Sequence, residues 1–155
     1  MLNSINFIDL SLEQIKEVLF WRNHPIIRKH MRNNNEISLS EHLKFIENLK
    51  NDSSRCYFYM YENQSGVGTF SLTTIKDNSA EIGIYVNPSL QGKGYGAKII
   101  YYMINYAVTE LKLTNLYLEV YKDNVAAIHL YEKNKFKKYD ETTDMLKMKL
   151  SVLNF

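Results

Sequence analysis

Apolar residues recur at helical spacing early in the chain, change to a strand-like rhythm in the middle, and then switch between the two. Asn6 to Leu10 reads as a short strand. Ser11 with Gln14 has the form of a capping box, and Leu12, Ile15, Val18 and Leu19 keep helical spacing up to Trp21. Pro25 suits a first helical position and predicts a turn running to Met31. Ser38 with Glu41 repeats the capping box and opens a helix with Leu39, Leu43, Ile46 and Leu49 on one side. Cys56 to Tyr61, Gly66 to Thr74 and Glu81 to Val86 are rich in aromatic and β-branched residues, with short polar gaps that suggest an antiparallel meander. Gly94 to Leu111 predicts a long amphipathic helix and Leu116 to Tyr121 a strand. Asn124 to Asn134 predicts a helix, and Phe136 to Tyr139 and Met145 to Leu150 closing strands.

This order predicts an α+β or mixed α/β protein around a largely antiparallel sheet. No repeat, low-complexity tract or linker divides the chain, so residues 1–155 are expected to form one domain. Composition then excludes several classes. A net charge of +2 with scattered lysines offers no basic stripe for nucleic acid. No apolar run approaches the ~18 residues of a membrane span, and Met1 to Leu10 lacks the pattern of a secretory signal. The single cysteine, Cys56, leaves no internal disulfide, and the four histidines show no metal-ligand spacing. A cytoplasmic, metal-independent protein is expected. His30 and His129 read as surface residues, and Cys56 as a buried thiol.

Two segments carry chemistry. In Asn87-Pro88-Ser89-Leu90-Gln91-Gly92-Lys93-Gly94-Tyr95-Gly96, glycines at alternate positions join a strand to the long helix. They let backbone N–H groups converge where the helix dipole is also positive, a setting for phosphate or pyrophosphate. The Walker pattern is absent, and the dinucleotide fingerprint needs one more residue and a parallel βαβ unit. The second segment runs from Asn124 to Asn134. Asn124 and Tyr131 lie seven residues apart on one helical face, with small Ala127 between them.

Gln-x-x-Gly-x-Gly followed by this Asn/Tyr segment resembles the GNAT superfamily of N-acetyltransferases, well from Gly66 to Phe136 and in outline on the flanks. The resemblance implies a seven-stranded, mostly antiparallel mixed sheet flanked by helices and splayed between its fourth and fifth strands. It implies acetyl coenzyme A as cosubstrate and no metal. Gln91, Gly92, Lys93, Gly94, Tyr95 and Gly96 then carry the pyrophosphate, and Asn124 and Ala127 meet the pantetheine arm. Ile84, Tyr85 and Val86 line the splayed strand, one of whose N–H groups holds the oxyanion. Tyr131 becomes the general acid; a phenol, ordinarily near ~10 against ~8.5 for a thiol, keeps a proton for the departing sulfur. Family members usually place Gly before the aromatic residue that follows, where this chain has Lys135 before Phe136.

Strand alternation puts Ile82, Ile84 and Val86 on one face and Glu81, Gly83 and Tyr85 on the other. Likewise Leu116, Leu118 and Val120 oppose Tyr117, Glu119 and Tyr121. If the strands splay, the polar faces line the acceptor cleft. Glu119, and after it Glu81, is then the candidate base for the amine, the alternative being that each faces solvent. Trp21-Arg22-Asn23-His24-Pro25 reads equally as a binding corner or as a helix end with Trp21 packed and Arg22 paired to a carboxylate. The same stretch, with Met31, His42-Leu43-Lys44-Phe45 and the Gly83-Ile84-Tyr85 strand, resembles the branch that acetylates the 4-amino group of a UDP-linked amino sugar in bacterial pseudaminic acid biosynthesis, for flagellin glycosylation. That branch implies a nucleotide-sugar pocket of Arg22, Met31, His42, Phe45, Glu81 and Tyr85. It is compatible with a homodimer. Ribosomal-protein-type N-terminal acetyltransferases, which also carry a Trp-Arg-Asn corner, are the alternative, and a coenzyme A sensor without catalysis is the third.

Overall fold

The computed structural model describes residues 1–154; Phe155 lies outside the described residues. Both capping boxes form. Ser11 Oγ accepts from the Gln14 N–H at 3.2 Å while Gln14 Oε1 accepts from the Ser11 N–H at 3.0 Å, starting α1 (Leu12–Asn23). Ser38 and Glu41 do the same for α3 (Leu39–Leu49). Each box satisfies helix N–H groups that have no intrahelical partner. Between them α2 is one turn, Pro25–Arg28, shorter than the expected run to Met31, because the chain closes with the His30 N–H on the Ile27 carbonyl at 3.1 Å.

The first strand also departs from expectation. β1 is Asn3–Asn6, and the residues read as strand beyond it form a 3-10 turn, Phe7–Asp9. Asn6 causes the change: its side chain accepts from the Ile8 N–H at 3.1 Å, bending the chain and putting Phe7 into the core. The helix faces shift as well. α1 buries Ile15, Val18 and Trp21, leaving Leu12 exposed; α3 buries His42, Ile46 and Leu49, leaving Leu43 exposed. In α3 a histidine takes the place of the expected leucine because residues four and three apart, 42, 46 and 49, share the face on the sheet.

Seven strands complete one sheet: β1, β2 (Cys56–Glu62), β3 (Ser65–Lys76), β4 (Ser79–Val86), β5 (Asn115–Tyr121), β6 (Lys137–Glu141) and β7 (Met145–Ser151). Their spatial order is β1-β2-β3-β4-β5-β7-β6. All neighbours are antiparallel except β4 and β5, which run parallel. Side-chain alternation divides the core. One face packs Phe58, Met60, Phe70, Leu72, Leu116 and Leu118 against α4 (Tyr95–Thr109). On the other, Tyr59 stacks on Trp21 of α1, centroids 5.7 Å apart and 7° from parallel. Gly66 makes that stack fit, since a Cβ there would lie 2.7 Å from the Trp21 ring and 2.9 Å from Glu17 Oε1.

After β5, helix α5 (Val125–Lys133) leads into a tight turn with Lys135 at φ +73°. The left-handed turn favoured by glycine is thus kept by a lysine, at a steric cost. Lys135→Gly is expected to raise unfolding free energy by about 0.5–1 kcal/mol, the relief of that cost less the freedom glycine gains in the unfolded chain. Urea unfolding of the two proteins checks it; equal midpoints would mean that Lys135 bears no strain.

Candidate functional site

β4 and β5 pair only at Ser79, Ala80 and Glu81 against Asn115, Leu116 and Tyr117. Beyond that they part. Ile82 to Val86 stay in register with β3, and Leu118 to Tyr121 with β7, so each strand is held on its outer side and open on its inner side. The wedge lies at the carboxyl ends of the parallel pair, where open α/β sheets bind ligands. Ile84, Tyr85 and Val86 form one wall.

The glycine loop stands at the end of that wall, and its glycines differ. Gly92 (φ +76°) and Gly94 (φ +84°) are left-handed, and a Cβ on either would meet nothing within 4 Å, so the backbone faces open space. Gly94 is also the N-cap of α4, with no side-chain cap and no acidic residue in the first turn, leaving the helix N–H groups free for an anion. A pyrophosphate fits this cradle. Gly96 has a packing role: a Cβ there would come within 2.8 Å of Leu130 in α5. Two other loop residues are engaged locally. The Gln91 side-chain amide donates to the Val86 carbonyl at 3.1 Å, and the Tyr95 hydroxyl donates to Glu62 at 3.0 Å. Lys93 is exposed beside the cradle.

The Gly96–Leu130 contact brings α5 against the loop. Asn124 caps α5, its Oδ1 accepting from the Ala127 N–H at 3.4 Å, and Ala127 is half-buried. Tyr131 is 7% exposed, set edge-on to Phe136 at 5.8 Å. Burial pushes its phenol up to about 12, so it stays protonated through the neutral range. Cys56, whose thiol burial pushes up to about 11, is a poor nucleophile.

The structure brings Arg22, His42, Phe45 and Tyr85 into one cluster. Phe45 lies between the His42 ring (6.4 Å) and Tyr57 (5.0 Å), and the Arg22 charge acts on both His42 and Tyr85. Desolvation lowers the pKa of Arg22 and of His42. It pushes Tyr85 up to about 12, with a Thr69 hydrogen bond and the Arg22 charge pulling the other way. Arg22 Nη1 and His42 Nε2 are buried without a partner, and such polar atoms carry a desolvation penalty that a ligand can relieve. Among the described residues Arg22 pairs with no carboxylate; its Nη2 donates to the Asn33 carbonyl at 2.6 Å. Met31 is half-buried on the segment after α2.

Glu81 and Glu119 neither stand free nor simply face water: Arg32 pairs with both, at 2.8 and 3.0 Å. Sequence reasoning missed Arg32, and missed Tyr57, for which strand alternation was an available signal. His129 is exposed as expected, whereas His30 is half-buried and within reach of the Asp123 charge. Among the described residues no group of three His, Cys, Asp or Glu is placed to hold a metal, and no helix is long and apolar enough to cross a membrane.

Residues 19–136 match the family described as Acetyltransferase (GNAT). Acetyltransferase PseH of Campylobacter jejuni is 37% identical over 144 residues, which cover 93% of this chain and 90% of that protein. The crystal structure of Campylobacter jejuni N-acetyltransferase PseH in complex with acetyl coenzyme A superposes with a TM-score of 0.83 at 30% identity, covering 98% and 99% of the two chains. A spermidine N-acetyltransferase from Vibrio cholerae, in complex with CoA and spermine, shares the fold with a TM-score of 0.86 at 24% identity, over 97% and 95% of the chains.

The raised phenols and thiol set an alkaline limit to stability. A group whose folded pKa lies above its unfolded value adds stability below the unfolded pKa and loses it as pH rises through the folded one. Unfolding free energy is therefore expected to fall from about pH 9, where the unfolded thiol ionises, through the phenol range up to about pH 12. Denaturant titrations across this range check it. Tyr131→Phe is expected to flatten the decline above about pH 10, and an unchanged slope would count against a buried Tyr131 hydroxyl.

Proposed function

The chain belongs to the acetyltransferase (GNAT) family, and on that premise we propose that it carries an acetyl group from acetyl coenzyme A to the 4-amino group of a UDP-linked 4-amino-4,6-dideoxy sugar, a cytoplasmic step of pseudaminic acid biosynthesis. What carries this reading is the wedge between β4 and β5, with an open glycine cradle at one lip and, on the helix packed against that loop, a buried, protonated tyrosine. The substantial likeness to PseH over nearly the whole chain supports the choice of acceptor.

Acetyl coenzyme A supplies an activated acetyl thioester when bound. The N–H groups of Gly92 to Gly96 and the charge of Lys93 hold its pyrophosphate, and Asn124 and Ala127 take the pantetheine arm. An N–H on the inner edge of Ile84, Tyr85 and Val86 stabilises the oxyanion, a donor whose alignment is fixed before reaction by the register with β3. Glu119 accepts the amine's proton through water, with Glu81 beside it. As general acid Tyr131 hydrogen-bonds to the sulfur and stabilises the negative charge that develops there, and the proton that the amine loses to Glu119 balances the one that the departing thiol takes up. The aromatic and cationic cluster of Arg22, Met31, His42, Phe45 and Tyr85 suits the nucleotide sugar: rings for a base, a guanidinium for phosphate.

Tyr131→Phe is expected to lower kcat by about 10²–10⁴-fold, the usual worth of a general acid, with acetyl-CoA affinity by calorimetry unchanged. Unchanged kcat would remove that role. The acceptor is tested by thiol release from acetyl-CoA with the UDP-linked amino sugar, its stereoisomers and short peptides bearing free N-termini. Turnover confined to the amino sugar is expected; turnover of peptides alone would retire the sugar reading and leave the family standing.

A further inference from the structure

The segment from 29 to 37 crosses the acceptor side and is tied down along its length. The Asn23 side chain accepts from the Ile37 N–H and donates to the Ile37 carbonyl, both at 2.8 Å. Arg22 holds the Asn33 carbonyl at 2.6 Å, and Arg28 pairs with Glu36 at 3.4 Å. From this tethered backbone the Arg32 guanidinium reaches two strands at once, 2.8 Å from Glu81 Oε1 and 3.0 Å from Glu119 Oε2. Glu81 is the last β4 residue paired with β5, and Glu119 lies two residues past the corresponding point on β5. Arg32 thus bridges the wedge where it begins to open. Lys147 stands opposite Glu119 in the β5–β7 register, yet the ion pair of Glu119 goes to Arg32.

We infer that Arg32 determines which amines this site accepts: it occupies the two carboxylates that a polycationic acceptor needs and offers a guanidinium to an anionic one. A polyamine is a polycation whose ammonium groups seek carboxylates, and here Glu81 and Glu119 are both taken by a resident cation. An acceptor that carries phosphates meets the reverse. The side chain of Arg32 is 59% exposed, and ion pairs this open to water are weak enough for an incoming phosphate to compete for the guanidinium. The anionic half of this inference rests on the proposed nucleotide-sugar acceptor; the cationic half needs only acetyl transfer.

The test compares kcat/KM for spermidine and for the UDP-linked amino sugar in the wild type, Arg32→Ala and Arg32→Lys, with melting temperature and acetyl-CoA KM as controls. Arg32→Ala is expected to raise kcat/KM for spermidine by about tenfold or more and to lower that for the amino sugar by about tenfold, both through KM. Arg32→Lys keeps the wild-type order of acceptors, and Arg32→Ala with Glu81→Gln reverses much of the spermidine gain. An unchanged spermidine value in Arg32→Ala, including no detectable turnover, would overturn the inference. Failure of the wild type on the amino sugar would instead retire the proposed acceptor, and the spermidine comparison would still decide the role of Arg32.

Discussion

Parallel strands join through evenly spaced, slanted hydrogen bonds, and β4 and β5 keep that ladder for three residue pairs before they part. Each strand stays paired on its outer side, β4 with β3 as far as Val86 and β5 with β7 as far as Tyr121. The parting therefore leaves two fixed edges rather than a frayed sheet. Backbone donors and acceptors on such an edge are in extended register and need partners. An extended ligand with amide groups, such as a pantetheine arm, supplies them as an added strand does. The segments that follow these strands, the glycine loop into α4 and the Asn124 turn into α5, both start at the mouth of the wedge. Gly96 against Leu130 then closes the two helices together. One interrupted ladder thus places the cradle, the open strand edge and the tyrosine.

The segment that leads to α3 is fixed by a different device. Trp21, Arg22 and Asn23 are consecutive, and their side chains go three separate ways. Trp21 stacks on Tyr59, Arg22 reaches Asn33, and Asn23 clasps Ile37. Three successive positions on a helix end spread over most of a turn, so one short motif fastens the sheet and the segment leading to α3. From that segment Arg32 reaches the mouth of the wedge, on a backbone held at Asn33 and Ile37. The desolvated Nη1 of Arg22 and Nε2 of His42 are the cost of this arrangement. Buried polar atoms left unpaired are rare in folded proteins and concentrate where a ligand completes them.

Legibility in the sequence follows the range of the interactions. The capping boxes, the change of period, the glycine loop and the Asn124–Tyr131 spacing are local patterns, and each appears in the fold close to its expected place. The miss at β1 is also local: Asn6 turns the chain through a side-chain bond that a strand pattern does not encode. On α3, periodicity allows Leu43 or His42 on the buried side, and the stacking partner Phe45 and the sheet beneath settle it. Arg32 is invisible for a stronger reason. Its partners lie 49 and 87 positions away, on two strands whose adjacency depends on the crossover through α4. Alternation identifies the glutamates as facing the cleft, but no spacing rule supplies the cation between them.

The burial of Tyr131 sharpens what it is able to do. With its phenol near 12 it is roughly 10³-fold weaker as an acid than a free thiol. Complete proton transfer to a relaxed thiolate is therefore uphill, and a phenol alone does not drive the sulfur's departure. In the proposed reaction its value lies earlier, as a donor fixed by the Phe136 contact and the α5 helix, able to stabilise charge as it grows on sulfur without having ionised beforehand. The proton balance closes on the amine, which becomes strongly acidic once it has bonded to the acetyl carbon. That proton, in the proposed reaction, leaves toward Glu119, which stands paired with Arg32. One guanidinium between Glu81 and Glu119 offsets the repulsion of two neighbouring carboxylates, and it also restrains how strongly either attracts a cation. In the proposed reaction the donor, Tyr131, is thus isolated from water by its packing, and the acceptor, Glu119, is held by an ion pair.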